Sequence, residues 1–226
     1  MGREKSLHYF LTGLTFVLVT VALYLVFLYV PTEASMGIVQ RIFYFHVAVA
    51  WVGFLAFFVV FLTSILYLVK RETKWDIIAS SSAEIGVVFT SLMLITGPIW
   101  AKPVWGVWWT WEPRLTTALV LWIIYVAYLL IRSYAGEKER GARFASVIGI
   151  VGFFDVPIVF LSITWWRTQH PGTIVFESGG LTPSMLATLL TSVAAFTSFY
   201  FLLLLKRAAI KNVENEIEKI KESLEE

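Results

Sequence analysis

Residues 42–69 read IFYFHVAVAWVGFLAFFVVFLTSILYLV, a run with no Asp, Glu, Lys or Arg. About 20 apolar residues in helical form cross the hydrocarbon core of a bilayer, and this stretch exceeds that requirement. It lacks the strict apolar–polar alternation of a barrel strand, so helix is the conformation that can satisfy its backbone in lipid. On either side of it, five further stretches qualify: Tyr9–Val30, Ala83–Trp100, Thr116–Ile131, Phe144–Thr164 and Pro183–Leu205. The fourth span, Thr116–Ile131, is short and is expected to extend at its ends. The second is long enough to tilt, or to begin as a helix on the outer surface. The composition agrees, with 58% hydrophobic residues, 15% charged and a mean hydropathy of +0.75 over 226 residues. The expectation is an all-α polytopic membrane protein with six spans. The apolar N-terminal run is too long for a signal-peptide core and is followed by no small-x-small cleavage site, so it reads as the first span.

The 18 Lys and Arg residues are distributed unequally between the two ends of these spans. One side gathers Arg3 and Lys5, then Lys70, Arg71 and Lys74, then Arg132, Lys138, Arg140 and Arg143, and finally Lys206, Arg207, Lys211, Lys219 and Lys221. The other holds Arg41, Lys102, Arg114 and Arg167. The positive-inside rule places both termini in the cytoplasm. Residues 1–205 read as the membrane domain and 206–226 as a cytoplasmic helical tail, with Ile210, Val213, Ile217, Ile220 and Leu224 forming a short heptad stripe suited to a partner helix. A net charge of +2, with no basic patch, argues against nucleic acid as a partner. The absence of cysteine excludes disulfides, thiolate metal sites, covalent haem attachment through CxxCH and cysteine catalysis.

The chemistry-bearing residues collect on the non-cytoplasmic side. The loop between the third and fourth spans, residues 100–116, reads WAKPVWGVWWTWEPRLT and contains Trp100, Trp105, Trp108, Trp109 and Trp111, half of the chain's 10 tryptophans. One or two such residues suit an interfacial anchor. The density of Trp105, Trp108, Trp109 and Trp111, followed by Glu112 and Arg114, exceeds that need. A helix through the loop places Trp105, Trp108 and Trp109 on one face, a surface of indoles for a large flat apolar ligand. Lys102, Arg41, Arg114 and Arg167 are then placed to meet anionic groups on its edge. His46, one turn into the second span, and His170, beyond the fifth, fall at the same depth. Histidine inside a bundle is often only a hydrogen-bonded core residue, but two of them beside indoles suit axial ligation of haem iron. Zinc and copper remain compatible with two imidazoles. His8 reads as an interface residue. Asp155 is expected to bond backbone freed by Pro157, and Glu84 to serve as a first-turn charge on the third span.

The string Trp105-Gly-Val-Trp-Trp-Thr-Trp-Glu-Pro-Arg-Leu-Thr116 resembles the tryptophan-rich WWD signature of the haem-handling proteins. With Arg41-x4-His46 and Trp165-Trp166-x3-His170, it is similar to the cytochrome c maturation protein C (CcmC) family over nearly the whole chain. The resemblance implies a non-enzymatic, inner-membrane subunit that holds non-covalent haem b at the outer face. Its implied partners are the transporter subunits CcmA and CcmB, the small subunit CcmD and the haem chaperone CcmE, to which haem passes. It implies His46 and His170 as axial ligands, Trp105, Trp108, Trp109 and Trp111 as an aromatic platform, and Arg41 and Arg114 as required arginines. The chain departs from the pattern at Glu112, usually Asp, and at Pro113, usually a small residue. Because the Glu-Pro-Arg turn follows the platform instead of lying inside it, Glu112 and Arg114 are expected to contact the chaperone, with Arg114 also a candidate partner for a haem propionate. The rival reading is a membrane b-type cytochrome of a quinone oxidoreductase, against which stands the lack of a second histidine pair at inner depth.

Overall fold

The computed structural model describes residues 2–135, 137–166 and 180–225, so Arg167 and His170 lie outside the described residues. Every regular element among the described residues is helical. The chain runs through α1 (Gly2–Tyr24), α2 (Ile42–Lys70), α3 (Thr73–Trp105), α4 (Pro113–Tyr134), α5 (Lys138–Phe153), α6 (Asp155–Trp165) and α7 (Pro183–Glu225). A π-helical turn, Leu25–Tyr29, prolongs α1, and a 3-10 turn, Ile38–Arg41, leads into α2. With α5 and α6 forming one broken span, six segments are long and apolar enough to cross a membrane. The protein is an all-α, multi-pass membrane protein.

The spans are longer than hydropathy alone marks. The third begins at Thr73 rather than Ala83, because Asp76 and the Ser80-Ser81-Ser82 run, polar on a hydropathy scale, are helical. Ser82 donates to Ala56 O at 2.8 Å and exchanges a hydrogen bond with Tyr200 OH at 2.8 Å, so α2, α3 and α7 meet there. Only Arg71 and Glu72 remain as the α2–α3 turn. Arg71 adopts φ 57°, and its N–H bonds Tyr67 O at 2.9 Å in the left-handed helix cap that glycine usually supplies. Glu84 therefore lies well inside α3 and is not a first-turn charge; Asp76 holds that position. The break that Pro157 causes falls one turn earlier, between α5 and α6. Its ring excludes the carbonyl four residues back, which is that of Phe153, the last residue of α5. Asp155, just beyond the break, leaves Oδ2 buried without a hydrogen-bond partner, so the expected bond from that atom to freed backbone is not formed.

Close approach of α2 and α3 organises the bundle. A Cβ on Gly53 would lie 2.7 Å from Thr90 Cγ2, and one on Gly86 2.5 Å from Phe57 Cε1. Lipid supplies no hydrophobic drive between helices, so such packing carries the association. Phe57 cannot yield, since it is fully buried and stacks on Tyr125 at 3.6 Å and 10°.

Ion pairs tie the helices at the end that holds the α2–α3 turn. Arg132 on α4 grips Asp76 on α3 through both carboxylate oxygens. Glu84 accepts from Arg207 Nε at 2.5 Å and pairs with Lys211 Nζ at 2.8 Å, both on α7, while Lys138 pairs with Glu218. One uninterrupted helix thus crosses residue 205 and carries its charged face back onto the bundle. Ile210, Val213, Ile217, Ile220 and Leu224 stay exposed on it.

Gly86→Ala should destabilise the protein by about 1–3 kcal/mol through overpacking against Phe57. Gly13→Ala, with nothing within 4 Å of the added methyl, should be neutral or stabilising by up to about 1 kcal/mol. Reversible unfolding of the two variants in detergent measures the contrast, and equal effects would contradict the packing described.

Candidate functional site

At the opposite end of the bundle, α2 and α3 bring an imidazole against a wall of indoles. His46 lies in the second turn of α2. Its Nδ1 is 2.9 Å from Thr96 Oγ1 on α3, and its ring centroid lies 6.0 Å from that of Trp100. Trp100, buried one turn further along α3, is followed by Trp105 at 6.3 Å between centroids. Phe43 packs on Trp100 from α2 at 5.8 Å.

The helix does not continue through the tryptophan loop. Gly106 takes φ +78°, and its N–H closes the end of α3 on Lys102 O at 2.9 Å. The expectation that Trp105, Trp108 and Trp109 share a helical face is therefore corrected: residues 106–112 are not helical. They nonetheless arrive together, because the chain must turn back to start α4. Pro113 opens that helix at its first position, where a missing N–H costs no bond. Glu112 precedes it in extended geometry.

A cavity of about 60 Å³ results, lined by His46, Gly97, Trp100, Trp105, Trp108, Trp109, Arg114 and Val159 among others. Five sequence-selected residues, His46, Trp105, Trp108, Trp109 and Arg114, thus share one site. Arg114 makes no ion pair among the described residues; Glu112 acts on its charge from nearby. The indole N–H groups of Trp100 and Trp109 are buried without a hydrogen-bond acceptor among the described residues.

Other candidates sit elsewhere. Lys102 turns back, and its Nζ donates to Gly106 O at 2.8 Å, sealing the C-terminus of α3. Arg41 donates Nη1 to Phe27 O at 3.1 Å, in the π-helical turn where carbonyls lack regular partners. Trp111, 75% exposed, projects outward and meets the edge of Trp109 at 5.8 Å. Glu33, in the α1–α2 loop, is held below the usual carboxylate range by N–H groups of Met36 and Ser35. The sequence reading missed Thr96, Gly97 and the cavity-facing role of Trp100. Thr96 and Gly97 fall on the α3 face opposite His46, a signal visible only once the antiparallel register of α2 and α3 is known.

Comparison with known proteins bears on the same stretch of chain. Residues 2–223 match the family described as heme exporter protein C, CcmC. Heme exporter protein C of Bradyrhizobium diazoefficiens is 35% identical over 204 residues, covering 89% of this chain and 76% of its own. Heme exporter protein C of Escherichia coli K12 is 32% identical, covering 84% and 75% respectively. A ccmC-like mitochondrial protein of cytochrome c biosynthesis from Marchantia polymorpha is 31% identical, covering 85% and 81%. A match across almost the whole six-span bundle, tryptophan loop included, places this chain in the heme exporter protein C (CcmC) family.

Proposed function

We propose that the protein is the haem-holding subunit of a cytochrome c maturation system, and that the cavity between His46 and the loop indoles is where haem is held. The juxtaposition of one imidazole, four indoles and an arginine with no ion pair among the described residues carries the reading. The residues fit the group. Imidazole is a standard iron ligand, indole faces stack on flat rings, and Arg114 suits a carboxylate edge. A volume of about 60 Å³ admits a few waters and not a porphyrin, so His46 and Arg114 would hold the group from the cavity and the exposed Trp108 would offer it an indole face. His170 is the second axial candidate and Arg167 a second propionate partner. Lys102 and Arg41, engaged on backbone carbonyls, act first on the frame of the site and only through their charge on a ligand.

The bound species is non-covalent haem b, held at the outer face of the inner membrane. The chain presents it without catalysing bond formation of its own. Its partners are the CcmA and CcmB transporter subunits, CcmD and the chaperone CcmE, with Glu112 and Arg114 at the contact with CcmE. Both termini face the cytoplasm, as the Lys/Arg asymmetry requires. The tail helix from residue 206 lies on that side.

Single cysteines test the orientation, since the chain has none of its own. An impermeant thiol reagent on intact cells should label Trp111→Cys and spare Glu72→Cys. The reverse pattern would overturn the topology.

Purified protein should carry haem that pyridine extracts as the b type. His46→Ala and His170→Ala should each lower haem retention, and the double variant should lose more. An unchanged spectrum in the double variant would exclude both ligands.

Stacking and charge separate in the loop. Trp109→Ala should weaken haem retention about 3- to 10-fold, nearly independently of salt. Arg114→Ala should cost less as ionic strength rises, because the screening length falls to about 3 Å at 1 M. Normal haem occupancy together with normal loading of CcmE in Arg114→Ala would refute both of its roles.

A further inference from the structure

We propose that Thr96 is a positioning residue for His46: it sets the imidazole tautomer, holding the proton on Nδ1 and leaving Nε2 as the lone-pair nitrogen that binds a metal centre. The inference deepens the haem reading above and rests on it for the identity of the metal.

The argument counts protons. A threonine hydroxyl carries one hydrogen and two lone pairs. Thr96 Oγ1 lies 2.8 Å from Leu92 O, the carbonyl one turn back on α3, and 3.4 Å from Met93 O. Both are acceptors only, and the nearer, Leu92 O, takes the hydroxyl hydrogen. The same oxygen lies 2.9 Å from His46 Nδ1. With its hydrogen committed to the carbonyl, Oγ1 can only accept there, and Nδ1 must donate. Neutral imidazole has one N–H, so the remaining nitrogen, Nε2, holds the lone pair. Metal-bound histidines commonly donate their second ring N–H in this way, which fixes ring orientation and raises ligand basicity.

Steric placement reinforces the bond. The residue after Thr96 is Gly97, and a Cβ there would stand 3.4 Å from His46 Cε1. The ring therefore lies within ordinary contact distance of α3, at the height where the hydroxyl can reach Nδ1. Trp100, one turn on, closes the other side at 6.0 Å between centroids. The ring is thus held by a hydrogen bond at one edge and by contacts on α3 at two heights. Thr96 makes this contact from inside a continuous helix, so its position is set by the α2–α3 register and not by a loop.

The test compares Thr96→Val, which keeps the shape and removes the hydroxyl, with Thr96→Ser, which keeps the hydroxyl. Nitrogen-15 histidine NMR of haem-free protein in detergent above pH 8, with His46→Gln for assignment, reads the tautomer directly. Wild type and Thr96→Ser should show the Nδ1–H form of His46, and Thr96→Val should lose that preference. In haem-loaded protein, Thr96→Val should bind about 10-fold more weakly, the low end of the usual loss when such a partner is removed. Its haem reduction potential should also rise, because a less basic imidazole stabilises ferric iron less. Thr96→Ser should restore both. An Nδ1–H tautomer and unaltered haem affinity in Thr96→Val would overturn this role while leaving His46 as ligand. Wild-type protein that retains no haem, or a His46→Ala variant that retains it unchanged, would instead overturn the haem reading, and the tautomer measurement would still decide the role of Thr96.

Discussion

The distance between α2 and α3 is the constraint from which the site follows. Three contacts mark the seam: His46 against Gly97, Gly53 against Thr90, and Phe57 against Gly86. They follow one antiparallel register, a heptad and then a turn apart along each helix. At the Gly53 and Gly86 levels a glycine on one helix admits a side chain of the other, so the backbones approach where lipid itself gives helices no reason to associate. The level nearest the tryptophan loop borders the candidate site. There the side chain is an imidazole, and the neighbouring residue on the opposite helix is a threonine with its hydroxyl on the ring. A helix pair driven apart at Gly53 or Gly86 would lose the His46–Thr96 contact without any change to either residue.

Hydropathy was sufficient to count six spans, and it located α2 to within a residue. It failed where polar side chains are helical for tertiary reasons. Ser80, Ser81 and Ser82 pass for a loop until Ser82 is seen to bridge Ala56 O and Tyr200 OH. Glu84 passes for a cap until α7 supplies Arg207 and Lys211. At the site, residue type alone was enough to assemble His46, Trp105, Trp108, Trp109 and Arg114, because imidazole, indole and guanidinium at one depth are rarely coincidental. It could not separate Arg114, which lines the cavity, from Lys102 and Arg41, which satisfy helix-end carbonyls. Cations of the same kind in the same loop region differ only by which orphan carbonyl lies within reach. Thr96 was invisible for a related reason. A threonine in a helix bonding its own preceding turn is ordinary, and only a partner from another helix makes its oxygen matter.

The two ends of the bundle treat charge in opposite ways. At the end holding the α2–α3 turn, Arg132, Arg207, Lys211 and Lys138 each meet a carboxylate from another helix. Those pairs serve cohesion, at a place where water and salt can reach the less buried members. At the aromatic end, Lys102 and Arg41 bond neutral carbonyls and Arg114 bonds no carboxylate among the described residues. Glu33, the acidic group of the neighbouring loop, is spent on the N–H groups of Ser35 and Met36. A carbonyl satisfies a donor's geometry and leaves its charge intact. Positive charge is thus retained beside a wall of indoles whose buried N–H groups at Trp100 and Trp109 also lack acceptors among the described residues. Holding cations and unmatched donors in a partly desolvated place is unfavourable in the protein alone. A flat ligand with an anionic edge would offset that cost, which is why the aromatic end of the bundle, and not the end of the α2–α3 turn, is where a ligand is to be sought.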